Sequence, residues 1–167
     1  MANLKELRDE RLRKLEELKA LGVNPYPAKS SRTHMMGDVV AGFEELEGKD
    51  VTVAGRVQGI RKFGKLAFIV LKDVSGAVQL FMKEGTVEPT KPEESQLGLE
   101  HLNLLDSGDF IEATGPVIKS KTGEISIEVQ TLRLLTKSLR PMPTKQEGFT
   151  NKEERMRRRY VDMNVNE

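Results

Sequence analysis

The sequence predicts a mainly β fold with flanking helices, built around a five-stranded barrel. Three observations predict it. From Val51 the apolar pattern changes to a period of two and repeats in five short runs. Turn chemistry separates the runs, notably Asp73-Val-Ser-Gly76 and Lys121-Thr-Gly-Glu124. A stretch of helical character near 93–106 interrupts them after the third run.

Taken in order, residues 3–22 read as a helix. Leu4, Leu7, Leu15 and Leu18 fall within roughly 80° of one another at 100° per residue, with Leu12 and Leu21 flanking the stripe. Asn3 and Glu6 have the spacing of a capping box, Glu10–Lys14 and Arg13–Glu17 pair on the solvated side, and Gly22 and Pro25 supply the stop. Residues 24–50, punctuated by Pro25, Pro27, Gly37, Gly42 and Gly48, suggest a loop and then a short helix near 37–46. The expected strands are 51–60, 65–73, 77–82, 109–119 and 124–135, all antiparallel, with Gly55, Gly59, Gly64 and Gly76 at bulges and turns. This is the order of an OB-fold barrel, whose strand 2–3 face commonly meets oligonucleotides. The prolines of residues 136–143 mark a linker, and a basic helical tail follows with Arg155, Arg157, Arg158 and Arg159. The chain thus divides into a helical extension (1–50), the barrel (51–136) and the linker with its tail (137–167).

Composition bounds the chemistry. The 167 residues are 37% hydrophobic and 32% charged, enough for one domain with appendages and a real core. With no cysteine, a disulfide scaffold, a thiolate zinc site and a Cys nucleophile are all excluded. His34 and His101 are too few for a multi-histidine metal site. No apolar run approaches the ~18 residues of a membrane span, and the charged N-terminus does not read as a signal peptide, so a cytoplasmic protein with no membrane partner is expected. The 27 Lys and Arg nearly balance the 26 Asp and Glu, but the distribution is uneven. Arg56, Arg61, Lys62 and Lys65 fall in a stretch without an acid until Asp73, and local clustering is what a phosphate backbone feels.

A symmetric turn at 73–76 pairs Val70 with Gln79 and Phe68 with Phe81. Ala67, Ile69, Leu71, Val78, Leu80 and Met82 then line the interior, while Phe68 and Gln79 share the outer face, with Arg61 near them from the preceding loop. Such a face suits a splayed base: a ring to stack on, a carboxamide to complement a base edge, and Glu124 to accept from a base N–H. Arg56, Lys62, Lys65, Lys119 and Lys121 are candidate phosphate contacts. An outward Phe beside a Gln also fits a patch on which a helix docks. No phosphate-binding loop, catalytic residue, metal site or cofactor site is expected in this chain.

Val53-Ala-Gly-Arg-Val57, Gly64-Lys-Leu-Ala-Phe-Ile-Val-Leu-Lys-Asp73 and Gly76-Ala-Val-Gln-Leu80 resemble the N-terminal anticodon-binding domain of class II lysyl-tRNA synthetases. Pro25-Tyr-Pro27, Arg32-Thr-His34, Gly108-Asp109, Lys121-Thr-Gly-Glu-Ile-Ser126 and Leu134 to Pro143 share the resemblance, and Arg159-Tyr-Val-Asp162 is similar to the segment leading into the family's first catalytic motif. The same barrel serves aspartyl and asparaginyl synthetases; Lys121–Glu124 and Leu134–Pro143 resemble the lysyl branch. The resemblance implies recognition of a uridine-rich tRNA-Lys anticodon stem–loop. In it Phe68 stacks on the central base, Gln79 reads its edge, Arg61 lies at the same site, and Glu124 meets a neighbouring base. Where many relatives have two adjacent arginines, this chain has Ile60-Arg61. The resemblance also places ATP, magnesium and the main dimer surface in a catalytic domain absent here, so the chain is expected to be inactive alone in lysine–tRNA ligation. It is then either part of a longer, homodimeric ligase or a free-standing single-stranded nucleic-acid binder.

Overall fold

The computed structural model describes residues 3–143 and 151–166. Six strands, β1 (Asp50–Phe63), β2 (Leu66–Lys72), β3 (Ala77–Lys83), β4 (Phe110–Lys119), β5 (Ile125–Glu128) and β6 (Thr131–Thr136), form one sheet in the order β1-β2-β3-β5-β4-β6. A further pairing of β1 with β4 closes it into a barrel. The mainly β fold class holds, with two corrections to its strands. The expected fifth strand is two, because the chain crosses over at Val129-Gln130, where the Val129 amide donates to Phe81 and the Gln130 amide to Thr114. And β5 runs parallel to β3, although every other strand pair is antiparallel. Gly115 permits this crossover: a Cβ there would collide with the Glu128 carbonyl.

The hairpin register is the expected one, with Val70 opposite Gln79 and Phe68 opposite Phe81. Ala67, Ile69, Leu71, Leu80 and Met82 are fully buried and Val78 nearly so. Strand β1 is longer than its apolar pattern suggested. It continues through Arg61 and Lys62 to Phe63 and turns into β2 through two residues, Gly64 (φ +57°) and Lys65. Arg61 therefore belongs to a strand, opposite Phe68, and not to a loop.

Helix α1 (Leu4–Ala20) begins with the expected capping box: Asn3 accepts from the Glu6 amide and Glu6 from the Asn3 amide. Its leucine stripe is only half used. Leu15 and Leu18 are buried, but Leu4 and Leu7 face solvent, while Arg11 is buried and donates to the Ser107 and Ser138 carbonyls. The helix expected near 37–46 is two, α2 (Met36–Ala41) and α3 (Phe43–Leu46), broken at Gly42. α2 sends Met36 and Val39 into the barrel core. The helical stretch expected at 93–106 forms two 3-10 helices, Pro92–Glu94 and Leu99–Leu104, rather than one continuous helix. In the tail, α4 (Lys152–Arg157) and α5 (Arg159–Val165) are joined through Asp162, which accepts from Arg155 at 2.6 Å and Arg159 at 2.9 Å. With Arg157 paired to Glu153 at 2.6 Å, three of the tail's four arginines are held by acids of the tail itself.

Two polar clusters fasten these pieces to the barrel. Lys137 is fully buried and donates to Asp106 (2.6 Å) and Asp109 (2.8 Å); Lys14 of α1 reaches the same Asp106 at 2.7 Å. Burial pushes the Asp109 carboxyl up, against Lys137 and the amides of Asp106 and Ser138. Burial also opposes the charge on Asp106, but its two lysines outweigh it and hold the carboxyl below its ordinary value. In the second cluster Asp73, in the β2–β3 turn, accepts from the amides of Met36, Ser75 and Gly76 and from the Ser75 hydroxyl. Burial alone would raise the Asp73 carboxyl, and these donors bring it below its ordinary value.

Removing one partner of a buried charge pair strands the other, so Lys137→Ala should cost about 3–5 kcal/mol in urea denaturation. Asp73 contributes stability that is present above its unfolded-state pKa and lost as pH falls through its lowered folded value. Asp73→Asn should therefore be less stable by about 1 kcal/mol at neutral pH. In thermal melts, that deficit should shrink below about pH 4.

Candidate nucleic-acid interface

The outer faces of β1, β2 and β3 form the floor of one open groove of about 1670 Å³. Alternation along β2 sends Phe68 and Val70 outward, and alternation along β3 sends Gln79 and Phe81 to the same side. Arg61 and Phe63 join them from the end of β1. Across β5, Ser126 pairs with Gln79, and the turn before β5 brings Lys121 and Glu124 to the opposite wall. That turn is fixed from within: the Glu124 amide donates to the Ser120 hydroxyl at 3.0 Å, the Ser120 amide to the Glu124 carbonyl at 2.8 Å, and Gly123 takes φ +86°.

The groove gathers all four expected base-contacting residues, Arg61, Phe68, Gln79 and Glu124, together with Arg56, Lys119 and Lys121. It does not gather the other two basic candidates. Lys62 alternates to the opposite side of β1 and reaches toward the Leu99 carbonyl, and Lys65, at the hairpin tip, is paired with Glu84 at 2.8 Å. Neither lines the groove: strand alternation turns Lys62 to the opposite side of β1, and Lys65 stands exposed in the turn. Arg56 is committed within the protein, with its guanidinium 4.9 Å from the Phe110 ring centre and 2.9 Å from the Met142 sulfur. Lys119 lies 5.6 Å from the Phe43 ring centre.

Arg61, Gln79, Lys121 and Glu124 differ from these. Among the described residues their side chains have no hydrogen-bond or ion-pair partner in the protein, so the floor and one wall present unspent donors and acceptors to whatever enters. The aromatic floor is wider than Phe68 alone. Phe68 stands 5.3 Å from Phe81 at 38° and 6.3 Å from Phe63 at 67°, ring centre to ring centre. Phe63 is the ring that sequence reasoning missed. The signal was its parity with Arg61 one residue before the Gly64-Lys65 turn, visible only once β1 is known to run to the turn. Of the alternative helix-docking patch, α1 gives the groove only Arg11 and is fastened to the 99–109 region, while the end of α5, at Asn164 and Val165, lies along the groove lining. No described cluster of His, Asp and Glu could hold a metal ion, and no described helix is long and apolar enough to cross a membrane.

Residues 51–135, the barrel itself, match the family described as the OB-fold nucleic acid binding domain. The chain belongs to that family. Along almost its whole length this OB-fold chain is also similar to curated proteins named lysine–tRNA ligase. The relative from Roseiflexus castenholzii is 43% identical over 98% of the chain and 33% of its own length. Those from Thermosipho africanus and Syntrophomonas wolfei are 41% and 40% identical, again over 98% of the chain and 33% and 32% of theirs. The chain spans about a third of the length of these relatives.

For an OB-fold of this family, charge in the groove sets the electrostatic share of binding. Lys121→Ala or Arg61→Ala should weaken binding of single-stranded RNA and flatten the slope of log K against log salt by about 0.7 for each phosphate no longer neutralised. Lys65→Ala, paired with Glu84 outside the groove, should change neither in the same titrations.

Proposed function

We propose that this OB-fold reads the anticodon loop of tRNA-Lys as the recognition portion of a lysine–tRNA ligase. The observation that carries the reading is the placement of Phe68 and Gln79 side by side on the open β2–β3 face, with unpartnered Glu124 and Arg61 flanking them. An exposed loop base laid on the Phe68 ring is held by stacking, whatever its identity. Identity comes from its edge: the Gln79 carboxamide offers one acceptor and two donor hydrogens, which complement the alternating acceptor and donor groups of a uracil edge. The Glu124 carboxylate accepts only, and so favours an N–H on the neighbouring base. Arg61 supplies positive charge on the Phe63 side of the floor.

All of these groups stand on strands or on a self-bonded turn, so little ordering remains to oppose binding. The names and identities of the relatives support assigning the loop to tRNA-Lys. On this reading the binding of ATP, magnesium and lysine, and the contacts of a homodimer, belong to the remaining two-thirds of such a ligase, and this chain contributes recognition rather than bond-making. A ligase of this kind works in the cytoplasm, where its tRNA is.

The test is binding of a tRNA-Lys anticodon stem–loop by the chain. Phe68→Ala should weaken it roughly 5- to 100-fold, the value of one base–aromatic stack. Gln79→Ala should reduce discrimination at the central uridine while costing less overall. Equal affinity for a loop with the central uridine replaced would sink anticodon reading. Equal affinity for an unstructured DNA strand would make the chain a sequence-tolerant single-strand binder instead.

A further inference from the structure

We infer that Phe63 is a second base-stacking platform, which holds the nucleotide next to the central base without reading its identity. The inference rests on the anticodon reading above and extends the same groove by one nucleotide. Phe63 closes β1, and its side chain is 62% exposed. Among the described residues it is the one phenylalanine left so exposed; every other one is at least partly covered. Its ring contributes nothing to the barrel interior, which is filled from the opposite face of the strands. Instead it stands edge-on to Phe68, 6.3 Å away and turned by 67°, on the groove lining.

Two consequences follow from that geometry. A base lying flat on Phe68 leaves the Phe63 ring face free, so two bases can stack at once. Because the rings are turned by 67°, those two bases cannot also stack on each other, and the strand must open between them. This is the conformation a loop offers and a continuous helical stack does not. The polar readers are on the other side: Gln79 and Glu124 line the groove toward β5, whereas the side chain sharing the β1 face with Phe63 is Arg61, a donor without acceptors. The groove therefore reads at one end and only grips at the other.

The experiment uses anticodon stem–loops carrying 2-aminopurine, a base whose fluorescence is quenched by stacking, at the central position or at either neighbour. Phe63→Ala should restore fluorescence at one neighbour only, leave the central position quenched, and weaken binding roughly 5- to 100-fold. The weakening should be the same whichever natural base occupies that neighbour, and Phe63→Tyr should retain affinity. Thermal melting of the chain should be unchanged, since the ring is outside the core. If Phe68→Ala weakens binding and Phe63→Ala does not, the second platform is wrong and the anticodon reading stands. If neither changes binding, both fall. A base-dependent effect of Phe63→Ala would overturn identity-blind gripping.

Discussion

The structure depends on β1 being one strand that serves two partners. Its first half pairs with β4 from Asp50 to Arg56, and its second half with β2 from Arg56 to Phe63. Arg56 is paired on both sides, opposite Phe110 and Lys72. A bulge between Val57 and Gly59 follows directly and bends the strand from one pairing to the other. Gly55 makes the approach possible: a Cβ there would lie 2.5 Å from the Lys72 carbonyl oxygen and 2.6 Å from the Met36 Cε. Closing the sheet in this way leaves its apolar face nowhere to point but inward, and its outer β1–β2–β3 face as the floor of the groove, bordered by Met142, Pro143, Asn164 and Val165. The groove is thus a by-product of closure, with its floor as rigid as the barrel.

A second constraint acts at the edges of that barrel. The helical extension gives the apolar core Leu18, Val23, Met36 and Val39, and it and the segment leaving β6 are also tied down by buried charge. Asp106 collects Lys14 from α1 and Lys137 from the end of β6, and Asp109 holds Lys137 and the Ser138 amide. Glu112 does similar work for the loop before α2, accepting from the Ser30 hydroxyl and the Ser31 amide while paired with Arg133 at 3.0 Å. Buried ion pairs of this kind rarely add much net stability over an apolar filling, because desolvation offsets their attraction. What they add here is geometry. Each requires partners from segments far apart in sequence, so α1, the 104–109 loop and the exit of β6 meet in one arrangement.

How much of this was legible in the sequence follows the same division. Period-two patterning placed every interior residue of β2 and β3, because a strand in a closed barrel has one wet and one dry face and a slip of one residue would exchange them. The 73–76 turn fixed the register, and so put Phe68 beside Gln79 by local chemistry alone. Long-range constraints were not legible. The split of the last strand at Val129-Gln130 has no Pro or Gly to mark it, since the glycine that permits it is Gly115, on another strand. The parallel pairing of β5 with β3 is a property of closure, invisible to local periodicity. The leucine stripe of α1 overpredicted burial because a 17-residue helix anchored by Arg11, Lys14, Leu15 and Leu18 needs no contact along its first turn. Arg61, Lys62 and Lys65 looked alike as a basic run, yet strand alternation and the hairpin tip send each to a different place.

That last separation carries the logic of the interface. A cluster of cations on a loop could follow any phosphate backbone, and binding would then be governed by salt alone. Here strand alternation and the hairpin tip sort the cations: one reaches the aromatic floor, one turns away to the Leu99 carbonyl, and one pairs with Glu84 outside the groove. The groove lining still carries Arg11, Arg56, Arg61, Lys72, Lys119 and Lys121 against the one carboxylate of Glu124, although Arg56 is turned onto Phe110 and Met142. That charge would hold any strand, so on the proposed reading selectivity comes from the rings and from the polar edges beside them. A site built so discriminates by leaving its own acceptors and donors unsatisfied when the wrong base is present, a penalty that charge alone cannot impose. On the proposed reading, stacking holds the strand and a few unpartnered polar groups decide which strand it is, in a chain whose near-neutral total hides a basic groove.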